Sequence, residues 1–333
     1  MDKPTTHSEP PVAEQRPYSY ERHGVTIVDP YHWLRDQGYP QVTDKDVLAY
    51  LTAENDYFER WSEQHRGLLD DLFEELKGRI KEDESSVPIR DGDWLYWWAF
   101  IPGAQYRTWY RKKFSGGEDQ VIFDEPTEAE GHEYFRLGAM EVSPDGKLIA
   151  ILVDESGAER FTLRIRDLAT GKDIETVTDV AIGQPVWTSG SDGIVFNEVN
   201  ENWRSYRARF HRLGTPTAQD VTLYEETEEL GFSVGVGRTQ DRSLIIIATG
   251  DNATSEVRFV SAEDPTQPLT LLSPRKEKRE YHVDAAHGKL WIVTNDDHVN
   301  FRLAEADPAE PERWTTVIPG SDRVYLRGAT SYR

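Results

Sequence analysis

The sequence predicts a mainly β fold, a β-propeller preceded by an α-helical N-terminal segment. Three observations predict it. Apolar stripes at helical spacing run through residues 43–80 and then stop. After about residue 85, short β-rich runs recur between turn signals. These runs form units that start roughly 45 to 55 residues apart, the spacing of a propeller blade.

The elements follow in order. Residues 1–17 are polar and Pro-rich and are expected to form a flexible arm. Residues 18–82 make the helical segment. It begins with the aromatic, irregular stretch "DPYHWLRD" (29–36). Thr43 or Asp44 can then cap a helix, with acidic residues in its first turn where the helix dipole favours them. Leu48, Leu51, Phe58 and Trp61 lie near one face. Leu68, Leu69, Leu72, Phe73 and Leu76 make a second stripe, and Gly67 is the expected break between two helices. Both stripes need a partner surface.

Residues 83–333 are the propeller region. "DGDWLYWWAF" (91–100), "PDGKLIAILV" (144–153), "SDGIVFNEV" (191–199), "QDRSLIIIAT" (240–249) and "AHGKLWIVTN" (286–295) each open with a turn and run into an apolar strand. About ten residues on, a second strand follows that usually carries Arg, as in "RFTLRIRDL" (160–168) and "WRSYRARFH" (203–211). About five blades are visible on this spacing. A four-stranded blade cannot bury itself alone, and repetition around an axis covers its faces. The rival arrangement is a β-sandwich with coincidental spacing. The final stretch, "SDRVYLRGATSYR" (321–333), reads like the start of another blade. No closing strand is evident, so the ring is expected to be incomplete.

Composition narrows the function. The formal charge of −22 repels phosphate backbones, so nucleic acid is not an expected partner, whereas basic peptides are attracted. There is no cysteine, hence no disulfide, thiolate metal site or Cys nucleophile. The N-terminus lacks the apolar core of a secretory signal, and no run is long enough for a membrane span. A cytoplasmic protein without a membrane partner is expected. The 10 Trp, 15 Tyr and 12 Phe argue against disorder in so acidic a chain.

Motif matches are few. "GFSVG" (231–235) fits G-x-S-x-G, the pattern of a serine hydrolase's nucleophile elbow. That elbow needs an apolar strand before the Ser and a helix after it. Here "YEETEEL" (224–230) precedes Ser233 and a turn into a strand follows it. Ser233 is therefore read as part of an inner blade strand, with glycines that let backbones approach closely. "GVGRTQ" (235–240) is a near miss for a dinucleotide loop and lacks its helix. "NDDHVN" (295–300) offers oxygen ligands to a hard cation but reads equally as an Asx-rich turn. His282 and His287 do not fall at helical zinc spacing. No cofactor and no metal are expected.

The order of segments, helices and then propeller, resembles the prolyl oligopeptidase superfamily of serine peptidases. The details are most similar to its oligopeptidase B branch. The stretches that carry the resemblance include "DPYHWLRD", "IKEDESSVPIRDGDWLYW" (80–97), "LGAMEVSPDGKLIAILVDESGAERFTLRIRDLATGK" (137–172), "NENWRSYRARFHRLGT" (200–215) and "LWIVTNDDHVNFRLAEA" (290–306). They appear in order from about residue 17 onward.

The resemblance implies a seven-bladed propeller that admits only short peptides to a C-terminal α/β-hydrolase domain, on which the helical segment packs. It implies cleavage after Arg or Lys, with acidic residues holding the basic side chain. It places the Ser, Asp and His of the triad in that C-terminal domain. No catalytic residue is therefore assigned to this chain, which is expected to be inactive by itself. The partners implied are short basic oligopeptides and the hydrolase domain. Glu159, in "DESGAER" (154–160), is a candidate for an interdomain ion pair. The competing reading is a solvated hairpin carboxylate. The alternative for the whole chain is a non-catalytic propeller that binds peptides or another subunit.

Overall fold

The computed structural model describes residues 9–38 and 41–332. They divide into two compact units, one up to Glu82 and one from Asp83 onward.

The first unit opens with an antiparallel hairpin, β1 (Ser19–Arg22) and β2 (Val25–Val28). Its two turn residues, His23 and Gly24, both take positive φ, as a tight hairpin turn requires. Asp36 then gathers the chain by accepting the N–H groups of Gly38, Thr43 and Asp44. These backbone donors hold its carboxyl below the usual range. Asp44 caps α1 (Lys45–Glu63), accepting from the N–H groups of Asp46 and Val47 at 2.8 and 3.1 Å.

The break between the helices falls at Gln64 and His65, before the expected Gly67. Gly67 lies inside the first turn of α2 (Arg66–Gly78). His65 Nδ1 sits 2.9 Å from the Trp61 carbonyl, which ends α1 without help from a glycine. Of the N-terminal arm, residues 1–8 lie outside the described residues. Arg16 is held by Asp46 at 2.9 Å and stacks over Trp33. The Trp33 indole donates to the Glu14 carbonyl at 2.8 Å.

The second unit is mainly β. Blade 1 contains β3 (Ile89–Asp91), β4 (Trp94–Phe100), β5 (Arg107–Lys113) and β6 (Gln120–Asp124), followed by the short helix α3 (Glu125–Glu128). Blade 2 contains β7 (Arg136–Val142), β8 (Leu148–Asp154), β9 (Phe161–Asp167) and β10 (Lys172–Val180). Blade 3 contains β11 (Val186–Trp187), β12 (Gly193–Val199), β13 (Ser205–Arg212) and β14 (Val221–Glu225). Blade 4 contains β15 (Ser233–Arg238), β16 (Leu244–Gly250), β17 (Ser255–Ser261) and β18 (Thr270–Ser273). Blade 5 contains β19 (Tyr281–Ala286), β20 (Lys289–Thr294), β21 (Arg302–Ala306) and β22 (Thr315–Ile318). Each is an antiparallel meander, and a single pairing, Val180 with Glu198, joins blades 2 and 3.

Pairing order explains why these sequences make blades. Strand β8 is apolar from Leu148 to Val153 because both of its faces are buried. Ile149, Ile151 and Val153 pack with Ile122 and Phe123 of blade 1. Ala150 and Leu152 turn to the other side and meet Trp187, Ile194 and Phe196 of blade 3. The same scheme repeats onward. Val195 and Phe210 meet Ile245 and Val260 of blade 4, and Val257 and Phe259 meet Leu290 and Ile292 of blade 5. The core thus lies between blades, as a radial repeat requires. Gly138 serves this packing directly: a Cβ there would come within 2.4 Å of the Phe161 ring. Beyond β22, Leu326 packs against Val293, Phe301 and Leu303, and its N–H donates to the Asn300 carbonyl at 2.9 Å.

Candidate functional site: the two ends of the blade strands

The first strands β3, β7, β11, β15 and β19 fix two ends of the blade unit. One end carries the turns between first and second strands. The other carries the loops between second and third strands, together with the links from blade to blade. The second end holds the stretch singled out in the sequence. Asp154, 1% exposed, organises the 154–160 loop. It accepts from the N–H groups of Ser156, Gly157 and Glu159 and from the Ser156 hydroxyl. Burial pushes this carboxyl up, but those donors outweigh it and hold it below the usual range.

Glu159 takes a positive φ of 56° and projects from this loop. Its side chain is 65% exposed and pairs with Arg136 Nη1 at 3.0 Å. Arg136 opens β7, so the pair lies within blade 2. The hydrogen bond that Arg136 donates to Glu159 raises the guanidinium's pKa. The neighbouring loop of blade 3 is tied on by Trp203, whose indole donates to the Ala158 carbonyl at 2.5 Å. Arg160 stacks over the Trp203 ring and donates to the Asn200 carbonyl at 2.8 Å. Exposed carboxylates gather here: Glu155, Glu201, Glu228 and Glu229 join Glu159 at this end of blades 2 to 4. Sequence reading found the first loop but not Trp203, whose indole bond depends on a contact 45 residues away.

At the opposite end Glu141, near the close of β7, accepts from Arg238 at 2.9 Å and from Gln184 at 2.7 Å. Burial pushes its carboxyl above the usual range, and Arg238 and Gln184 offset this only in part. The indole of Trp187 donates to the Glu141 carbonyl at 3.0 Å. Glu141, Gln184 and Arg238 border a cleft of about 360 Å³.

Ser233 opens β15, opposite Gly250 on β16. It is exposed, and among the described residues no histidine or carboxylate bonds its hydroxyl. It is a first-strand residue, as its context implied. The glycines beside it do not serve close approach, however. A Cβ on Gly237 would meet open space, because that residue lines the cleft. In "NDDHVN" two of the oxygen donors are already engaged: Asn295 accepts from the Glu280 N–H at 2.7 Å, and Asp296 holds Arg302 through two bonds of 2.8 Å.

One histidine passed unnoticed in the sequence. His211 is 1% exposed between blades 2 and 3, with Asp220 on Nδ1 at 2.6 Å and Glu175 on Nε2. Burial pushes its pKa down, but the two carboxylates outweigh it and raise it overall. With both ring nitrogens engaged by carboxylates, His211 ties blades 2 and 3 together and has no free nitrogen to act as a general base. The signal was Arg and His on third strands. Arg164 and Arg166 likewise clasp Glu128 of α3, at 2.7 and 2.5 Å.

Five four-stranded antiparallel meanders that follow a helical unit in the chain, each packed on the next, define the class: a β-propeller domain. The family model described as the prolyl oligopeptidase N-terminal beta-propeller domain matches residues 10–333, and the chain belongs to that family. It is 32% identical to dipeptidyl aminopeptidase BI of Pseudoxanthomonas mexicana, over 96% of this chain and 46% of that protein. It is 26% identical to protease 2 of Moraxella lacunata, over 97% and 47% respectively. Among solved structures, oligopeptidase B from Trypanosoma brucei with covalently bound antipain matches with a TM-score of 0.86 and 26% identity, over 94% of this chain and 47% of that one. Oligopeptidase B from Leishmania major matches with a TM-score of 0.87 and 25% identity, over 96% and 47%. The chain therefore spans about half the length of the relatives it matches, and corresponds to the N-terminal propeller portion of prolyl oligopeptidase-family peptidases. No helix among the described residues is long and apolar enough to cross a membrane.

Proposed function

We propose that this chain is the substrate-gating half of an oligopeptidase B-like serine endopeptidase that hydrolyses short peptides after Arg or Lys in the cytoplasm. The observation that carries the reading is the match to oligopeptidase B structures over nearly the whole chain. The exposed carboxylates around Glu159 support it, because they raise the local concentration of cationic peptides. In this reading a C-terminal α/β-hydrolase domain supplies nucleophile, base and oxyanion hole, and hydrolysis proceeds through an acyl-enzyme. The apolar stripes of α1 and α2 are the surface on which that domain packs. Glu159 exchanges Arg136 for a cation of that domain, or shares it, when the two parts meet.

Two assays on the purified 333-residue chain test this. A fluorophosphonate probe is expected to leave it unlabelled, and a fluorogenic Arg-Arg peptide is expected to bind without being cleaved. Labelling that survives in Ser233→Ala would show a nucleophile elsewhere in this chain and sink the division of labour. Equal affinity for a Glu-Glu peptide would sink the basic preference.

A further inference from the structure

The turn that follows β15 makes contacts that the blade order does not explain. Neighbouring blades bury apolar faces against each other, and their polar ties, such as His211 with Glu175, run between adjacent blades. The Arg238–Arg242 turn of blade 4 instead reaches blades that are not its neighbours in the chain. Arg238, the last residue of β15, pairs with Glu141 of blade 2 at 2.9 Å, past blade 3. Arg242 pairs with Asp91 of blade 1, the last residue of β3 and 151 positions away. On its other side, the Gln240 N–H donates to Asp284 of blade 5 at 2.7 Å. Gln184, between blades 2 and 3, completes the set by donating to Glu141 and to the Met140 carbonyl.

The local backbone is shaped for this reach. Arg242 holds a positive φ of 66°, an uncommon conformation for a residue with a Cβ, and a turn that ended in β-geometry would aim it differently. The bare Gly237 beside it leaves the cleft open for the two guanidinium groups.

We propose that the Arg238–Arg242 turn is a latch across one end of the blade unit, in which two arginines of blade 4 hold blades 1 and 2 at fixed distance. The opposite end, at Glu159, carries no such cross-tie among the described residues. The two pairs differ in exposure. The Arg238 and Glu141 side chains are 18% and 24% exposed, and the Arg242 and Asp91 side chains 37% and 47%. Salt therefore weakens the outer pair first.

The absence of cysteine makes the test direct. Spin labels go on Cys substituted for the exposed Asp93, Lys147 and Ser243, at the turns of blades 1, 2 and 4. Pulsed electron–electron resonance then reads the 93–243 and 147–243 distances. Both are expected to be narrow in the otherwise unaltered chain. In Arg238→Gln/Arg242→Gln both are expected to broaden and lengthen, while far-ultraviolet circular dichroism stays unchanged. The swap Asp91→Arg/Arg242→Asp is expected to restore the narrow 93–243 distribution. In 1 M NaCl without any charge substitution, the 93–243 distribution is expected to broaden before the 147–243 one. Unchanged distributions in the double variant, or a swap that stays as broad as that variant, would overturn the latch. None of these outcomes depends on whether the chain serves a peptidase.

Discussion

The two units of this chain use similar apolar residues in opposite ways. In the blades, Phe161, Leu163, Trp187 and Ile194 are completely covered by the neighbouring blade. In the helical unit, Leu51, Phe58, Leu68, Leu72 and Phe73 are between 46% and 64% exposed. Every residue of α2 is exposed, and α1 buries only Val47 and Ser62. The blades thus supply their own partner surfaces by repetition, whereas the helical unit does not cover its apolar stripes with its own residues. Substitutions in the two parts should therefore differ in what they cost in stability.

The largest separation is expected from matched aromatic truncations. Phe161→Ala removes a ring packed between blades 2 and 3 and is expected to cost about 3–5 kcal/mol. Phe73→Ala, on α2, is expected to change stability by less than about 0.5 kcal/mol. Urea denaturation followed by tryptophan fluorescence measures both. Comparable losses would break the comparison.

Next comes the buried ion cluster between blades 3, 4 and 5. Glu226 is 2% exposed and accepts from Arg275 at 2.6 Å, from the Tyr224 hydroxyl at 2.8 Å and from the N–H groups of Glu228 and Glu229. Burial pushes its carboxyl up, yet these donors prevail and hold it down to about 2. Arg275→Met leaves that carboxylate buried without its cation, and is expected to cost about 3 kcal/mol. The pH dependence follows from the direction of the shift. A folded-state carboxyl held below its unfolded value takes up its proton last, so the contribution is complete above about pH 5. It declines as pH falls toward 2. Melts between pH 7 and pH 3 should show the loss in the unaltered chain and a flatter profile in Arg275→Met.

The helix cap comes third. Asp44→Ala frees the N–H groups of Asp46 and Val47 and is expected to cost about 1 kcal/mol, confined to the helical unit. Loss of helical circular dichroism without loss of the blade transition would sharpen the comparison. The smallest effect is expected from Leu72→Gln on α2, within about 0.5 kcal/mol in this chain.

How much of this was legible depended on where each strand sits in its blade. The second strands were plain in sequence because both faces are buried, as "LIAILVD" in β8 shows. The third strands were plain because an apolar face alternates with arginines that clasp acids, as in "FTLRIRD". First and fourth strands carried little pattern. Strand β15 mixes glycine with valine because one face lines open space, and β10 bulges twice and is largely exposed. The cap at Asp44 was readable from local rules. The break before α2 was not, since it rests on the His65 contact with Trp61 rather than on Gly67. Ser233 could be set aside from its neighbours alone. Glu159 stood out only by its place in an acidic hairpin loop, and its partner Arg136 lies 23 residues away and could not be read from that loop. The cross-ring pairs were invisible for the same reason, because Arg242 and Asp91 meet only once blades 1 to 4 are in place.

Hydrogen–deuterium exchange on the intact chain tests the division most directly, since it reads both units in one molecule. Amides of β8 and β12 are expected to exchange at least about 100-fold more slowly than those of α1 and α2, because only the blades bury their own apolar faces. Equal protection in helices and blades would contradict the account.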